Sequence, residues 1–396
     1  MTLEKTSYSM PSLRWYEDLP ASAAVRAGDL VFIAGQTGLD ASGEPAGRGD
    51  AGAQARTAFE RIQELLELAG GGMDDVVDLM SFHQDVREID AVFEAARDYF
   101  AGDYPAWTPV GMLGSHSPDI LVSIRTIAHL GEGPKECYTP DTLKWWRDLP
   151  VSAGCKKGEF VFVSGQVAAD ADGNLTTPAD HAAQAGFALN RIREIVEHFG
   201  GSLEDVVDLL SFHQDARGMV PAGDVQAATF ADIPLAEAPA WTAIGVPGLY
   251  RLGMLASWRA IADLSPGKRV AMTPASIWWK IFPISGGTKK EGGSLVAISG
   301  EVASDGDGLV TTPGDTAGQA RYAFNRIREV LEMFGASMEN VVEITSFHKD
   351  PRAWEIVMDV GRDYFDVDSG PAWTPVGCPG LWNEGYLHEI YALAVV

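Results

Sequence analysis

Positive charge is in short supply in this chain. Lys and Arg total 30 against 55 Asp and Glu, a formal net charge of −25. Such a surface repels phosphate backbones and anionic headgroups, so neither nucleic acid nor a membrane is the expected partner. The acidity reads as a means of staying soluble. Cysteine is scarce too. Cys137, Cys155 and Cys378 stand apart in the sequence with no CxxC spacing. That argues against a disulfide framework and against a zinc site, and it suits a reducing cytoplasm. No apolar run approaches the length of a membrane span. Met1 to Leu13 lacks a basic stretch followed by an apolar one, so no secretory signal is expected. Apolar residues make up 46% of 396 residues, enough for a real core and for two to four domains.

What is there comes three times. Pro105-Ala106-Trp107-Thr108 returns as Pro239-Ala240-Trp241-Thr242 and as Pro371-Ala372-Trp373-Thr374. Gly35, Gly165 and Gly300 each lie 48 residues before His83, His213 and His348. Trp107, Trp241 and Trp373 each lie 18 residues before Arg125, Arg259 and Tyr391. Gap-free spacing over such stretches means three copies of one domain, and a period of this length suits a compact domain rather than a solenoid. Polar stretches ending in Thr-Pro, Gly131 to Pro140 and Ser265 to Pro274, read as linkers. The domains are placed at 1–133, 138–265 and 272–396.

Within one copy, an aromatic opening strand is expected at Leu13-Arg14-Trp15-Tyr16, at Lys144-Trp145-Trp146 and at Trp278-Trp279. A β-branched strand, Leu30 to Ala34, runs into Gly35. Asp40 to Gly43 and Asp170 to Gly173 read as hairpin turns. Phe59, Ile62, Leu66 and Ala69 recur at helical spacing before a Gly70-Gly71-Gly72 stop. A strand over Val76 to Gln84 carries the histidine, a second helix covers Ile89 to Phe100, and strands follow at the PAWT motif and over Ile120 to Leu130. The order β-β-β-α-β-α-β-β predicts an α+β domain with helices on one face of a mixed sheet. In the second copy Pro221 and Gly223 are expected to disrupt the second helix. The third copy carries a two-residue insertion near Gly292.

The strand ending in (S/A)GQ, the Gln-Ala-rich helix, G-x-(M/L)-x-(D/N)-V-V, the Tyr-Phe pair, Pro-Ala-x-T and a closing strand with Ile-Ala together resemble the reactive intermediate deaminase (RidA/YjgF) family. The resemblance covers nearly the whole chain. It implies three tandem chorismate-mutase-like domains forming an intramolecular pseudo-trimer, with sheets inward, helices outward and a small-molecule cleft at each of three interfaces. It also implies hydrolysis of enamines and imines. There an arginine holds the substrate carboxylate, and a glutamate on the last strand places the water. This sequence departs from that pattern. Trp107, Trp241 and Trp373 stand at the arginine position, and Arg125, Arg259 and Tyr391 are taken as the glutamate position.

Several residues therefore compete for a role. The three tryptophans would wall the clefts and stack on an aromatic ring or a cation, or else plug abandoned pockets. Arg125 and Arg259 would contact an anion, or else pair with a local acid. Tyr391 makes the third cleft unequal. Ser81 and His83, Ser211 and His213, and Ser346 and His348 are two apart on a strand, about 7 Å at Cα, too far to assure a hydrogen bond. His83, His213 and His348 are acid–base candidates all the same, against a structural role. Glu301 replaces Gln36 and Gln166 and is a candidate general base, or else it binds the same backbone groups as those glutamines. Gln36 and Gln166 are candidate substrate contacts. One histidine per repeat makes no metal site, and no cofactor is expected. The function expected is a hydrolase or deaminase acting on a small C–N compound, possibly aromatic or cyclic. The alternatives are a non-catalytic binding protein and a non-hydrolytic cyclase or isomerase.

Overall fold

The computed structural model describes residues 4–10, 18–234 and 237–396. The first repeat runs β1 (Lys5–Tyr8), β2 (Ala24–Ala27), β3 (Leu30–Thr37), α1 (Ala51–Ala69), β4 (Val76–His83), α2 (Ile89–Ala96), β5 (Ala106–Gly111) and β6 (Val122–His129). The second runs β7 (Glu136–Tyr138), β8 (Gly154–Lys157), β9 (Phe160–Gln166), α3 (His181–His198), β10 (Val206–His213), α4 (Met219–Thr229), β11 (Ala240–Gly245) and β12 (Ala256–Asp263). The third runs β13 (Arg269–Met272), β14 (Gly287–Lys290), β15 (Leu295–Glu301), α5 (Thr316–Met333), β16 (Val341–His348), α6 (Trp354–Gly361), β17 (Ala372–Gly377) and β18 (His388–Val395). Each repeat is one six-stranded mixed sheet, ordered β1-β2-β3-β6-β4-β5 in the first. Only the outer pair β4–β5 is parallel, and α2 makes its crossover. The predicted α+β class is the class found.

Local chemistry explains the elements. On α1, Ala55, Ala58, Phe59, Ile62, Leu65 and Leu66 are buried at helical spacing. The Asp50 side chain accepts from the Ala53 N–H at its start, and Gly70 ends it in the left-handed region. Asp40 to Gly43 is a tight turn, with Asp40 Oδ1 accepting from the Ser42 and Glu44 N–H groups.

Three expectations need correction. The aromatic openings at Trp145-Trp146 and Trp278-Trp279 are 3₁₀ helices, Asp141–Asp148 and Trp278–Ile281, not strands. In the first of these, Leu143 and Trp146 are the buried pair, a spacing of three that a strand cannot bury on one face. Leu13 to Tyr16 lies outside the described residues. The true edge strands β7 and β13 sit inside the stretches read as linkers, and each pairs with the next strand of its own repeat. Finally, α4 is intact. Pro221 is its third residue, where the backbone N–H has no intrahelical partner to lose.

The repeats close into a ring. β5 packs on β9, β11 on β15, and β17 on β3. The Gly and Thr of the repeated motifs make each seam. Thr374 Oγ1 accepts from Gly35 N–H at 2.8 Å, Thr108 Oγ1 from Gly165 at 2.8 Å, and Thr242 Oγ1 from Gly300 at 2.7 Å. A Cβ on Gly35 would lie 2.6 Å from Thr374 Cγ2, so only glycine permits this approach. Inside the ring, Phe347 meets both Phe82 and Phe212, at 6.3 and 6.5 Å between centroids. The sheets thus face a common axis. No helix among the described residues is long and apolar enough to cross a membrane.

Candidate functional site

Each seam creates a cleft between the PAWT strand of one repeat and the bulged strand of the next. The cleft between the second and third repeats holds a cavity of about 210 Å³. The cleft between the first and second holds about 30 Å³, too little for more than a solvent molecule. The larger cavity is walled by Trp241, Trp278, Trp279, Phe282, Trp382 and Tyr386.

Two substitutions open it. Phe93 of α2 stands against Trp107 with ring centroids 4.8 Å apart, filling the first cleft. Ten residues after its histidine, where the first repeat has Phe93, the second repeat has Gly223. Gly223 lies beside the Trp241 ring and lines the open cavity. In addition Ala243 lines this cavity where Pro109 lines the smaller one. Trp107 and Trp373 are accordingly 1% exposed and Trp241 8%.

A carboxyl group occupies only this cleft among three equivalent positions. Ser123, Ser257 and Glu389 share one register, opposite Phe82, Phe212 and Phe347 on the central strands. A Cβ on Gly35, Gly165 or Gly300 would run into Ser123 Oγ, Ser257 Oγ or Glu389 Oε1 respectively. Glu389 is 5% exposed, and burial pushes its carboxyl up to about 8, offset in part by an Ala243 backbone hydrogen bond. It is therefore largely protonated at neutral pH. Sequence reasoning assigned the last-strand carboxylate to the Arg125, Arg259 and Tyr391 positions and missed Glu389. The assigned position, that of Arg125, Arg259 and Tyr391, lies two residues past Glu389 and its equivalents on the same strand face, about 7 Å nearer the axis. Aligning the three repeats on their closing strands, with Ser opposite Glu, is the signal that finds it.

Arg125 and Arg259 are not in the clefts. Both are buried on the axis. Arg125 donates from Nε to Glu343 Oε1 at 2.6 Å and also pairs with Asp78. Arg259 donates to Asp78 Oδ2 at 2.8 Å and lies 3.4 Å from Asp208 Oδ2. The Tyr391 hydroxyl donates to Asp208 Oδ2 at 2.8 Å. The result is a buried chain, Glu343–Arg125–Asp78–Arg259–Asp208–Tyr391, of three carboxylates, two guanidiniums and one phenol. With a phenol in the third place, burial outweighs its partners and raises Asp208 to about 6.

The histidines serve the tryptophans. Trp107, Trp241 and Trp373 donate from Nε1 to Ser81, Ser211 and Ser346 Oγ at 2.8, 2.8 and 2.9 Å. Those hydroxyls share hydrogen bonds with His83, His213 and His348 Nε2 at 2.7, 2.9 and 2.8 Å. The pair judged too distant from Cα spacing is bonded in all three repeats, because both side chains lean together along one face. Burial holds all three imidazoles neutral, down to about 3, and they line neither cavity. Their hydrogen bonds run to the serines that hold the indoles.

Glu301 is buried on β15 between Gly300 and Val302, which line the cavity while it does not. Burial raises it well above the usual range, with Arg326 opposing and Glu389 and Glu329 adding to the rise. Gln36 and Gln166 donate from Nε2 to the Ala34 and Ser164 carbonyls at 2.9 Å, tied to their own strands. Among the described residues, no three His, Cys, Asp or Glu groups converge to hold a metal ion. The cysteines are not all isolated: Cys137 and Cys155 are cross-strand partners with their sulfurs 2.7 Å apart.

Comparison with known proteins fits this architecture. The endoribonuclease L-PSP family model matches residues 19–130, 149–263 and 288–396. The RutC family protein YjgH of Escherichia coli is 35% identical over 119 residues, covering 30% of this chain and 88% of that protein. The RutC family protein PH0854 of Pyrococcus horikoshii is 33% identical over 111 residues, covering 28% of this chain and 86% of that protein. Among solved structures, a chorismatase is similar with a TM-score of 0.54 at 15% identity, over 81% of this chain and 93% of that one. At that identity the likeness is one of fold.

Proposed function

The chain belongs to the endoribonuclease L-PSP (RidA/YjgF) family as three fused tandem copies, and from that premise we propose that it is a hydrolase of small cyclic or aromatic imines or enamines, acting in the cleft between its second and third repeats. The observation that carries the reading is a single buried carboxyl group, Glu389, set in an aromatic cavity of about 210 Å³. Hydrolysis of an imine needs a proton for nitrogen and an activated water for carbon. Glu389, protonated near neutrality, gives its proton to the imine nitrogen. The resulting carboxylate takes a proton from water as the water oxygen bonds to carbon. Glu389 then gives this proton to the carbinolamine nitrogen, and as the C–N bond breaks its carboxylate takes the hydroxyl proton, releasing the amine and restoring the acid. One imine and one water become one carbonyl compound and one amine. Trp241, held by Ser211, walls the reacting plane.

An amino-acid-derived imine is a poorer fit. Trp241 stands where the family resemblance implies a carboxylate-binding arginine, and the two arginines near the interfaces are consumed on the axis. Cleavage of RNA is a poorer fit still, since the net charge is −25 and the cavity's described charged side chains are acidic.

The test is release of benzaldehyde from N-benzylidenemethylamine by the full chain, beside keto-acid release from 2-aminoacrylate generated in situ. Acceleration of the first that disappears in Glu389→Gln supports the reading. No acceleration over Glu389→Gln removes hydrolysis and leaves a binding protein. Acceleration of 2-aminoacrylate hydrolysis alone removes the aromatic preference.

A further inference from the structure

Resting on that choice of cleft, we propose that it selects an organic ammonium or iminium cation that carries no carboxylate. The cavity offers four indoles, Trp241, Trp278, Trp279 and Trp382, with Phe282 and Tyr386 beside them. Trp241 and Trp382 meet at 84° with centroids 6.3 Å apart and form a corner of two walls. Trp258 stacks behind Trp241 at 5.4 Å and holds it in place. Indole faces attract cations through the ring quadrupole, most strongly where water is excluded.

Charge complementarity points the same way. The described charged side chains lining the cavity are Glu389, buried, and Asp224, exposed at its mouth. No described guanidinium or ammonium lines it. An anion entering this space would find aromatic faces and two acids, whereas a cation finds a counter-ion at each end. The smaller cleft differs: there Arg251 lies 4.3 Å over the Trp145 ring, so one aromatic face is already covered by a cation of the protein itself. In the open cleft Trp278 and Trp382 stand where the smaller cleft has Trp145 and Tyr250, and uncharged Asn383 follows Trp382 where Arg251 follows Tyr250, so that place carries no cation of the protein.

Proton linkage sharpens the inference. The groups acting on or near Glu389 are Glu301 of β15, Asp224 of α4, Tyr386 of the loop before β18 and Cys378 after β17. All are acids, and the cations nearby, Arg326 of α5 and Lys349 after β16, act on Glu301 and Cys378 respectively. A cation pairs with the Glu389 carboxylate and not with its acid form. Binding must therefore expel a proton below about pH 8. Cation affinity rises with pH toward about 8 and levels off above it.

The experiment titrates the full chain with choline, with its uncharged carbon isostere 3,3-dimethylbutan-1-ol, and with benzoate, following tryptophan fluorescence and heat. The expected result is choline binding at least about tenfold tighter than the isostere, about 1.4 kcal/mol, with no benzoate binding. Choline affinity should rise with pH, and that rise should vanish in Glu389→Gln. Gly223→Phe should abolish choline binding and so assign it to this cleft. Equal or better binding of the isostere, binding of benzoate, or no binding of choline overturns the proposal. Cation selection without imine hydrolysis leaves this inference standing and removes the hydrolase. Imine hydrolysis without cation selection does the reverse.

Discussion

Gly223 holds on α4 the place that Phe93 holds on α2, and this exchange of a benzyl group for a hydrogen, together with Ala243 for Pro109, separates an open cleft from a filled one. Gly223→Phe should therefore close the site. A phenylalanine there has a precedent 130 positions earlier, in a helix of the same repeat position. It also replaces a helical glycine, a gain of roughly 0.5 kcal/mol in propensity. The expected outcome is unchanged or slightly raised thermal stability with ligand-induced fluorescence change lost. A variant that folds normally and still binds would place the site elsewhere.

Glu301→Gln should stabilise the protein. It restores the residue of the other two repeats, whose amides donate to a carbonyl of their own strand. The folded state holds the Glu301 proton well above the unfolded value. Between the two pKa values the folded chain binds more protons than the unfolded one, so stability falls as pH rises through that window. Glutamine carries no such linkage. Denaturant midpoints of the two proteins should lie close together at pH 4 and diverge as pH rises, with the variant higher. A variant less stable at pH 8 would mean that the ionised carboxylate is used.

Much of the fold was legible because its chemistry repeats. The glycine-to-histidine spacing and the PAWT strand recur in all three copies, and the alternation of strand and helix follows from them. The opening strands were misplaced because adjacent aromatic residues suggest a strand, while Leu143 and Trp146 bury at a spacing of three. The clefts were hard to read for the opposite reason. What makes one of them a site is what the repeats do not share: Gly223, Ala243 and Glu389. Arg125 and Arg259 share the strand face of the cleft position, and only closure of the ring tells cleft from axis.

Cys137 and Cys155 should form a disulfide when an oxidant is supplied. They are directly opposite in the β7–β8 pair, and their sulfurs are in contact. The Cys137 thiol is lowered, chiefly by its hydrogen bond with Cys155, so it supplies the attacking thiolate. Diamide, which takes up two electrons and two protons as the S–S bond forms, should reduce the reactive thiols of the unfolded chain from three to one. The bond would tie an edge strand to its sheet. Retention of all three thiols after diamide treatment would show that the strand geometry forbids the bond.

Arg125→Met should cost stability while sparing the cleft. Arg125 is fully buried between Glu343 and Asp78. Removing it leaves Glu343 without its guanidinium and Asp78 with Arg259 alone, at a cost of about 3–5 kcal/mol. Tyr391→Phe removes a hydroxyl from Asp208 and should cost about 1–3 kcal/mol. Neither residue lines the cavity. Choline affinity of the folded variants should stay within about twofold of the parent, well under the tenfold step that a lost charge contact makes. Urea titration measures the first effect and fluorescence titration the second. A large loss of affinity in folded Arg125→Met would return that arginine to the site and would make the axis, not the seam, the place where ligand charge is read.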